Sequence, residues 1–196
     1  MLPMAVPEPT LNQGSGGRAS IRVEGSRPVS ERRLVRGAQQ GSADDFEALF
    51  QLHWPRAYRT AWLVVHDAAA AEDIAQEAFI AALRALDRFD RRRPFGPWLN
   101  RIVVNRAIDF ARSRRLHAVP TAGVTATAPP APEGWSEDVV RALAQLPVDQ
   151  RAVVVMRHAL GYTPGEIARA LGLPRGTVNS RLRRALDRLG ELLDDA

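Results

Sequence analysis

The chain has 196 residues, is 45% hydrophobic and 25% charged, and carries a formal net charge of +5, which suits one medium or two small domains and an anionic partner. It contains no cysteine, which excludes disulfides, thiolate metal sites and a thiol redox switch. All 27 basic residues are arginine, which in so alanine-rich a chain reads as GC-rich coding rather than as selection for phosphate-binding forks. No stretch approaches the roughly 18 apolar residues that span a bilayer, and the opening MLPMAVPEPTLNQGSGG lacks an apolar core of signal-peptide length. A cytoplasmic protein without membrane insertion is expected.

Residues 1–41 are rich in Pro, Gly, Ser and Arg with little periodicity, and are expected to form a disordered tail. From Ser42 the spacing turns helical: Phe46, Leu49, Phe50 and then Tyr58, Ala61, Trp62, Val65 recur at three- and four-residue intervals, predicting two helices with Pro55 near their junction. A third helix is predicted over 69–86 and a fourth over 97–114. The Pro/Ala/Thr stretch PTAGVTATAPPAPE then reads as an extended linker. Helical patterns resume over 136–145, 149–160, 164–171 and 176–193, with no strand pattern. The fold class is all-α: two small helical domains, residues 42–116 and 135–196, joined by a flexible linker over 117–134.

Charge is sorted along the chain. Residues 44–90 hold nine acids against four Arg, whereas 91–115 hold eight Arg against one Asp. Acidic and basic surfaces are therefore adjacent but distinct, although for a single charge run an ordinary solvated helix face is the better explanation.

The sharpest local signal is TPGEIARALGLPRGTVNSRLRRALDRL, residues 163–189. Thr163 suits an N-cap, Pro164 the first helical position and Glu166 the closing position of a capping box, and Gly172 stops the helix. Leu173 to Arg175 form a tight turn into a second helix, the pattern of a DNA-reading helix-turn-helix. At about 100° per residue, Val178, Leu182, Ala185, Leu186 and Leu189 face the core, while Ser180, Arg183, Arg184 and Asp187 face out, with Arg175, Asn179 and Arg181 at the margins. Arginine forks suit guanine edges, and Asn or Ser can read bases or hold phosphates.

In the third helix Ile74, Ala75, Ala78, Phe79 and Ala82 form the buried arc, and Asp73, Gln76, Glu77, Ile80 and Arg84 the opposite one. An isoleucine on a charged face marks either a protein interface or a scattered surface apolar residue, and the wheel alone does not choose. In the fourth, Leu99, Val103, Ala107 and Phe110 are expected to be buried and Trp98, Arg101, Ile102, Asn105, Asp109 and Arg112 to face outward. Basic charge with interspersed aromatics is how proteins hold unstacked bases, although any one of Phe89, Phe95 and Trp98 taken singly suits a core better. The loop with Arg91, Arg92 and Arg93 is harder to explain by packing.

At AEDIAQEAFIAAL (71–83), PFGPWLNRIVVNRAIDFAR (94–112) and the run from Ala142 to Leu189 the chain resembles the extracytoplasmic-function group of the sigma-70 family, the smallest sigma factors, built from regions 2 and 4 on a flexible linker. The resemblance implies core RNA polymerase as partner, docked on Asp73, Gln76, Glu77 and Ile80. It implies that positions 88–112 melt the minus-10 element and capture non-template bases, with Arg91, Arg92, Arg93, Trp98, Asn100, Arg101, Asn105 and Arg112 as contacts. Positions 175–184 match the helix that reads the minus-35 element in duplex DNA, with Arg175, Thr177, Asn179, Ser180, Arg181, Arg183 and Arg184 as contacts. Asn179 stands where family members often carry a basic residue, and Arg183 where they vary, so a promoter sequence does not transfer. An anti-sigma partner is implied as well, and no catalysis, cofactor or metal.

Two other readings compete. A conventional helix-turn-helix regulator would bind a palindromic duplex site without polymerase. A recombinase or nuclease would need a catalytic cluster, but His53, His66, His117 and His158 are scattered and no carboxylates show metal-ligand spacing.

Overall fold

The computed structural model describes residues 20–21, 29–117 and 129–194. Apart from a two-residue antiparallel pairing of β1 (Ser20–Ile21) with β2 (Val29–Ser30), the regular elements are helices. They are α1 (Glu31–Gln39), α2 (Ala43–Val65), α3 (Ala68–Ala85), α4 (Phe95–His117), α5 (Glu137–Gln145), α6 (Val148–Val154), α7 (Pro164–Leu171) and α8 (Arg175–Asp194). Neither the strand pair nor α1 follows from the sequence patterns above.

The expectation of a structureless segment as far as residue 41 is corrected by α1. Its Leu34, Val35 and Ala38 are buried, a set worth several kcal/mol at about 1.5–3 kcal/mol per large aliphatic side chain. The helix folds back on α2 so closely that a Cβ at Gly37 would overlap the Asp45 carboxylate. Residues 1–19 and 22–28 of the expected tail lie outside the described residues, as do 118–128 of the linker.

Helix α2 also departs from expectation: it runs unbroken through Pro55 rather than dividing there. Proline removes one backbone donor and crowds the preceding turn. The compensation is packing, since α2 is the spine against which α1, α3 and α4 all lie, and Phe50, Trp54 and Tyr58 stack along it at centroid distances of 4.9 and 6.3 Å.

Helix α3 starts at Asp67, whose side chain accepts the Ala70 amide, and buries Ile74, Ala75, Ala78, Phe79 and Ala82 as the wheel predicted. It ends in a 3₁₀ turn, Leu86–Arg88. Helix α4 buries Leu99, Val103 and Ala107 as expected; Phe110, expected to be buried, is exposed, and Val104 and Ile108 fill the core beside them. The buried stripe extends to the side away from Phe110, where α4 packs on both α2 and α3.

In the C-terminal half, Ser136 caps α5 by accepting the Val139 amide, and α6 loosens into a π turn over Val155–Ala159 before the helix-turn-helix. Thr163 and Glu166 form the reciprocal capping box, and Gly172 closes α7 with φ of +64°, a left-handed conformation that suits glycine. Val178, Leu182, Ala185 and Leu189 of α8 are buried; Leu186, expected to join them, is 46% exposed on the edge of an apolar groove lined by Trp135, Val139 and Leu143. No helix of the described residues is long and apolar enough to cross a membrane.

Candidate nucleic-acid interface

The basic surface starts in the turn between α3 and α4. Arg91, Arg92 and Arg93 are all exposed there, and Asp90 gathers two of them, accepting from Arg92 Nε at 3.0 Å and lying 3.9 Å from Arg93 Nε. Phe89 and Phe95 beneath are buried, so two of the three aromatics open to either reading belong to the core. Trp98, half-buried, lies 4.6 Å from Phe89 and 5.5 Å from Phe95 between ring centroids, leaving part of the indole at the surface.

The start of α4 is held from outside the helix. Glu31 Oε1 on α1 accepts the Phe95 amide at 2.6 Å, satisfying a donor that the helix cannot satisfy itself. Its other oxygen lies 3.5 Å from His53 Nε2, an ion-pair distance. The His53 imidazole, then the Phe95 amide, hold Glu31 below the usual carboxylate range against the opposing effect of burial. At the far end of α1, Gln39 Nε2 donates to the carbonyls of Leu86 and Phe89 at 2.8 and 3.0 Å.

Along α4, Arg101 and Arg112 are exposed and Asn105 is half-buried. Asn100 is a correction, because it is only 4% exposed and faces the core, where a base does not reach it. On α8, Arg175, Asn179, Arg183 and Arg184 are exposed, and Thr177, Ser180 and Arg181 partly so. Ser180 Oγ donates to the Thr177 carbonyl and stands 3.4 Å from Arg184 Nη2, which steadies that arginine on the outward face. On α3, Asp73, Gln76, Glu77 and Ile80 are all exposed, with Glu77 paired to Arg106 of α4 at 2.8 Å.

Several of these groups are engaged across the two halves of the chain, which share one continuous core. Asn105 Nδ2 donates to the Ala170 carbonyl at 3.3 Å, and Asp149 of α6 takes Arg112 at 2.8 Å and Arg181 at 3.4 Å. Tyr162 Oη donates to the Pro97 carbonyl at 2.6 Å, and burial pushes this phenol up to about 12. The centre of the contact is Arg151, whose guanidinium donates to the carbonyls of Val64, Ala144 and Leu146 and meets His66 Nδ1 at 3.3 Å. His66 Nε2 in turn faces the Val140 carbonyl at 3.1 Å. Burial, then the Arg151 charge, lower this histidine to about 4. The sequence carries no signal for this contact, because its residues are polar, unclustered in sequence and far apart along the chain.

Comparison with known proteins agrees with this layout. The sigma-70 region 2 family matches residues 49–117, and sigma-70 region 4 matches residues 136–189. The extracytoplasmic-function RNA polymerase sigma factor SigM of Mycobacterium tuberculosis is 37% identical over 178 residues, 89% of this chain and 90% of its own. SigW of Bacillus subtilis is 28% identical, over 84% of this chain and 97% of its own. Among solved structures, the sigma factor RpoE of Bartonella quintana, in complex with the anti-sigma factor NepR, superposes with a TM-score of 0.63 at 28% identity, covering 78% of this chain and 98% of that one. With two basic surfaces on a helical fold and these two family matches in this order, the chain belongs to the sigma-70 family, among its extracytoplasmic-function RNA polymerase sigma factors.

Proposed function

We propose that the chain joins core RNA polymerase through the outer face of α3 and brings two DNA-reading surfaces to one promoter. As a sigma factor it directs transcription initiation and is not an enzyme. Asp73, Gln76 and Glu77 ring the half-exposed Ile80, an apolar anchor with a polar rim, which is the anatomy of a protein interface. The domain that holds them, residues 42–116 with α1 added, would melt the minus-10 element; the domain over 135–196 would read the minus-35 element as duplex.

Arg91, Arg92, Arg93, Arg101 and Arg112 would neutralise backbone phosphates, Trp98 would stack on a base turned out of the duplex, and Asn105 would contact the captured strand. Unstacking a base costs a few kcal/mol, which stacking on Trp98 and phosphate contacts can offset. Arg175, Thr177, Asn179, Ser180, Arg181, Arg183 and Arg184 would enter the major groove from the start of α8. An anti-sigma protein, like the one bound to RpoE, would cover the docking surfaces until a signal arrives, and the whole cycle would run in the cytoplasm.

The observation that carries this reading is the mixed α3 face beside an exposed arginine loop, for which a conventional duplex-binding regulator has no use. Run-off transcription by purified core polymerase on a promoter library tests it, with an Ile80→Arg, Gln76→Ala variant alongside. The wild type is expected to start transcripts at a shared two-element promoter, and the variant to lose core binding. Duplex binding by the chain alone, with nothing added to core polymerase, would make the conventional regulator the better account.

A further inference from the structure

The outward face of α1 has no role in the function above, and residue 49, where the region 2 match begins, lies beyond it. Its buried side is Leu34, Val35 and Ala38, with Glu31 turned inward to the Phe95 amide. At about 100° per residue, Arg32, Arg33 and Arg36 fall together on the opposite side, and all three are exposed. Among the described residues none of them pairs with a carboxylate, a state they share with the exposed Arg91, Arg101, Arg175 and Arg183, whereas Arg92, Arg112 and Arg188 are paired with Asp90, Asp149 and Glu191.

The helix is also fixed in place beside the arginine loop. Gln39 at its C-terminal end bonds Leu86 and Phe89, and Glu31 at its N-terminal end bonds Phe95. So α1, about 13 Å long, runs antiparallel along the segment that carries Arg91, Arg92 and Arg93. At about 100° per residue Arg32 and Arg36 flank the side of α1 that meets this segment, and Arg33 lies further round the helix.

We infer that Arg32, Arg33 and Arg36 form a second row of phosphate contacts, which grips the promoter DNA backbone next to the bases captured by the arginine loop and α4. The inference rests on the minus-10 reading above. An exposed row of guanidiniums on a helix anchored beside the arginine loop suits a polyanion, and the polyanion that the minus-10 reading brings to this loop is the promoter DNA. The contact is with backbone, since the three side chains are guanidiniums in a row and the exposed amide on their face, Gln40, stands past them at the C-terminal end of the helix.

The test uses holoenzyme reconstituted from core polymerase and the full chain, with the promoter recovered in the run-off experiment and held open by a mismatched bubble. Binding is measured as a function of salt for four proteins: wild type, Arg32→Ala/Arg33→Ala/Arg36→Ala, the same three positions changed to Lys, and Arg91→Ala/Arg92→Ala/Arg93→Ala. Alanine is the best helix former and the three side chains are exposed, so α1 stays folded, which a melting curve checks. Each phosphate contact contributes about 0.7 to 0.9 to the slope of log K against log salt. The α1 alanine variant is expected to lose about 2 from that slope and to bind about tenfold more weakly at low salt, with core affinity unchanged and the Lys variant close to wild type. A wild-type slope in the α1 variant, beside a reduced slope in the Arg91–Arg93 variant, overturns the inference and leaves the minus-10 reading standing. A loss of core affinity in the α1 variant overturns it too, because the row then faces polymerase. If the Arg91–Arg93 variant also keeps the full slope, the minus-10 reading fails and takes this inference with it.

Discussion

Arg112 of α4 and Asp149 of α6 form an ion pair 2.8 Å long that joins a surface proposed for the minus-10 element to the helix-turn-helix half of the chain. The same carboxylate holds Arg181 at 3.4 Å, so one anionic group occupies an arginine from each proposed DNA surface, much as a phosphate would. Replacing Asp149 by Ala is therefore expected to free both. Partly exposed pairs contribute up to about 1 kcal/mol each, so the free chain should bind duplex DNA about three- to tenfold more tightly. Because the chain has no cysteine, two engineered ones can carry dyes for an energy-transfer distance between the halves, which should lengthen in the variant. An unchanged distance and an unchanged affinity would sink the idea.

Acid should loosen the same contact through His66. Its unfolded imidazole takes a proton near pH 6.5 and its folded one near 4, so between these values the unfolded chain carries the extra proton. Stability is then full above pH 6.5 and falls as the pH drops towards 4. Allowing for its partial exposure, the loss should be about 1–2 kcal/mol between pH 7 and 5. Other titrating groups add their own pH dependence, so the readout is the difference between the wild type and His66→Asn in urea midpoints at each pH. Asparagine does not titrate and tolerates the left-handed backbone at this position, where φ is +53°. Parallel pH curves for the two proteins would exclude His66.

Arg151→Met should be among the most damaging single changes away from the DNA surfaces. It leaves the carbonyls of Val64, Ala144 and Leu146 without their donor at a junction of three helices. Unpaired buried acceptors cost about 1–3 kcal/mol each before relaxation or water entry, and a net loss of about 3 kcal/mol is expected. In a chain of this size that is a drop in Tm of about 6–12 °C, measurable by calorimetry. Lysine should not rescue it, because one ammonium does not span the acceptors that a planar fork reaches.

Thr163→Ala removes half of the capping box, since Thr163 accepts the Glu166 amide while Glu166 accepts the Thr163 amide at 2.8 Å. The expected cost is about 1 kcal/mol, seen as a lower urea midpoint, and Thr163→Ser should recover most of it. Glu166 is held below the usual carboxylate range by the Thr163 amide, then by its hydroxyl, so this cap should also weaken when Glu166 is protonated in acid.

Legibility in the sequence tracked how local each signal was. The capping box, the Gly172 stop and the buried face of α3 are repeats within a few residues, and each lies where the pattern placed it. Helix α1 was missed because nine residues with a buried strip of three, flanked by Pro- and Ser-rich chain, fall below any useful periodicity window. Pro55 misled in the opposite direction, since a local helix-breaking rule lost to packing on three sides. Phe110 and Leu186 were assigned inward for being apolar, yet both stand at the edge of a face where residues one turn away fill the core first. Asn100 was carried to the DNA surface by the family pattern, and only the packing of α4 shows that its side chain points in.

Glu31 and the Phe95 amide it accepts lie 64 residues apart, and this separation sets an order of assembly. Chains emerge from the ribosome N-terminus first, so α1 and its carboxylate are available well before α4 is made. The helix proposed to capture the melted strand is thus the last piece of its domain to be synthesised, and the residue that accepts its first-turn amide has been made by then. A chain begun at residue 42 would make every proposed strand contact except the α1 arginines and still leave the first turn of that helix without its anchor.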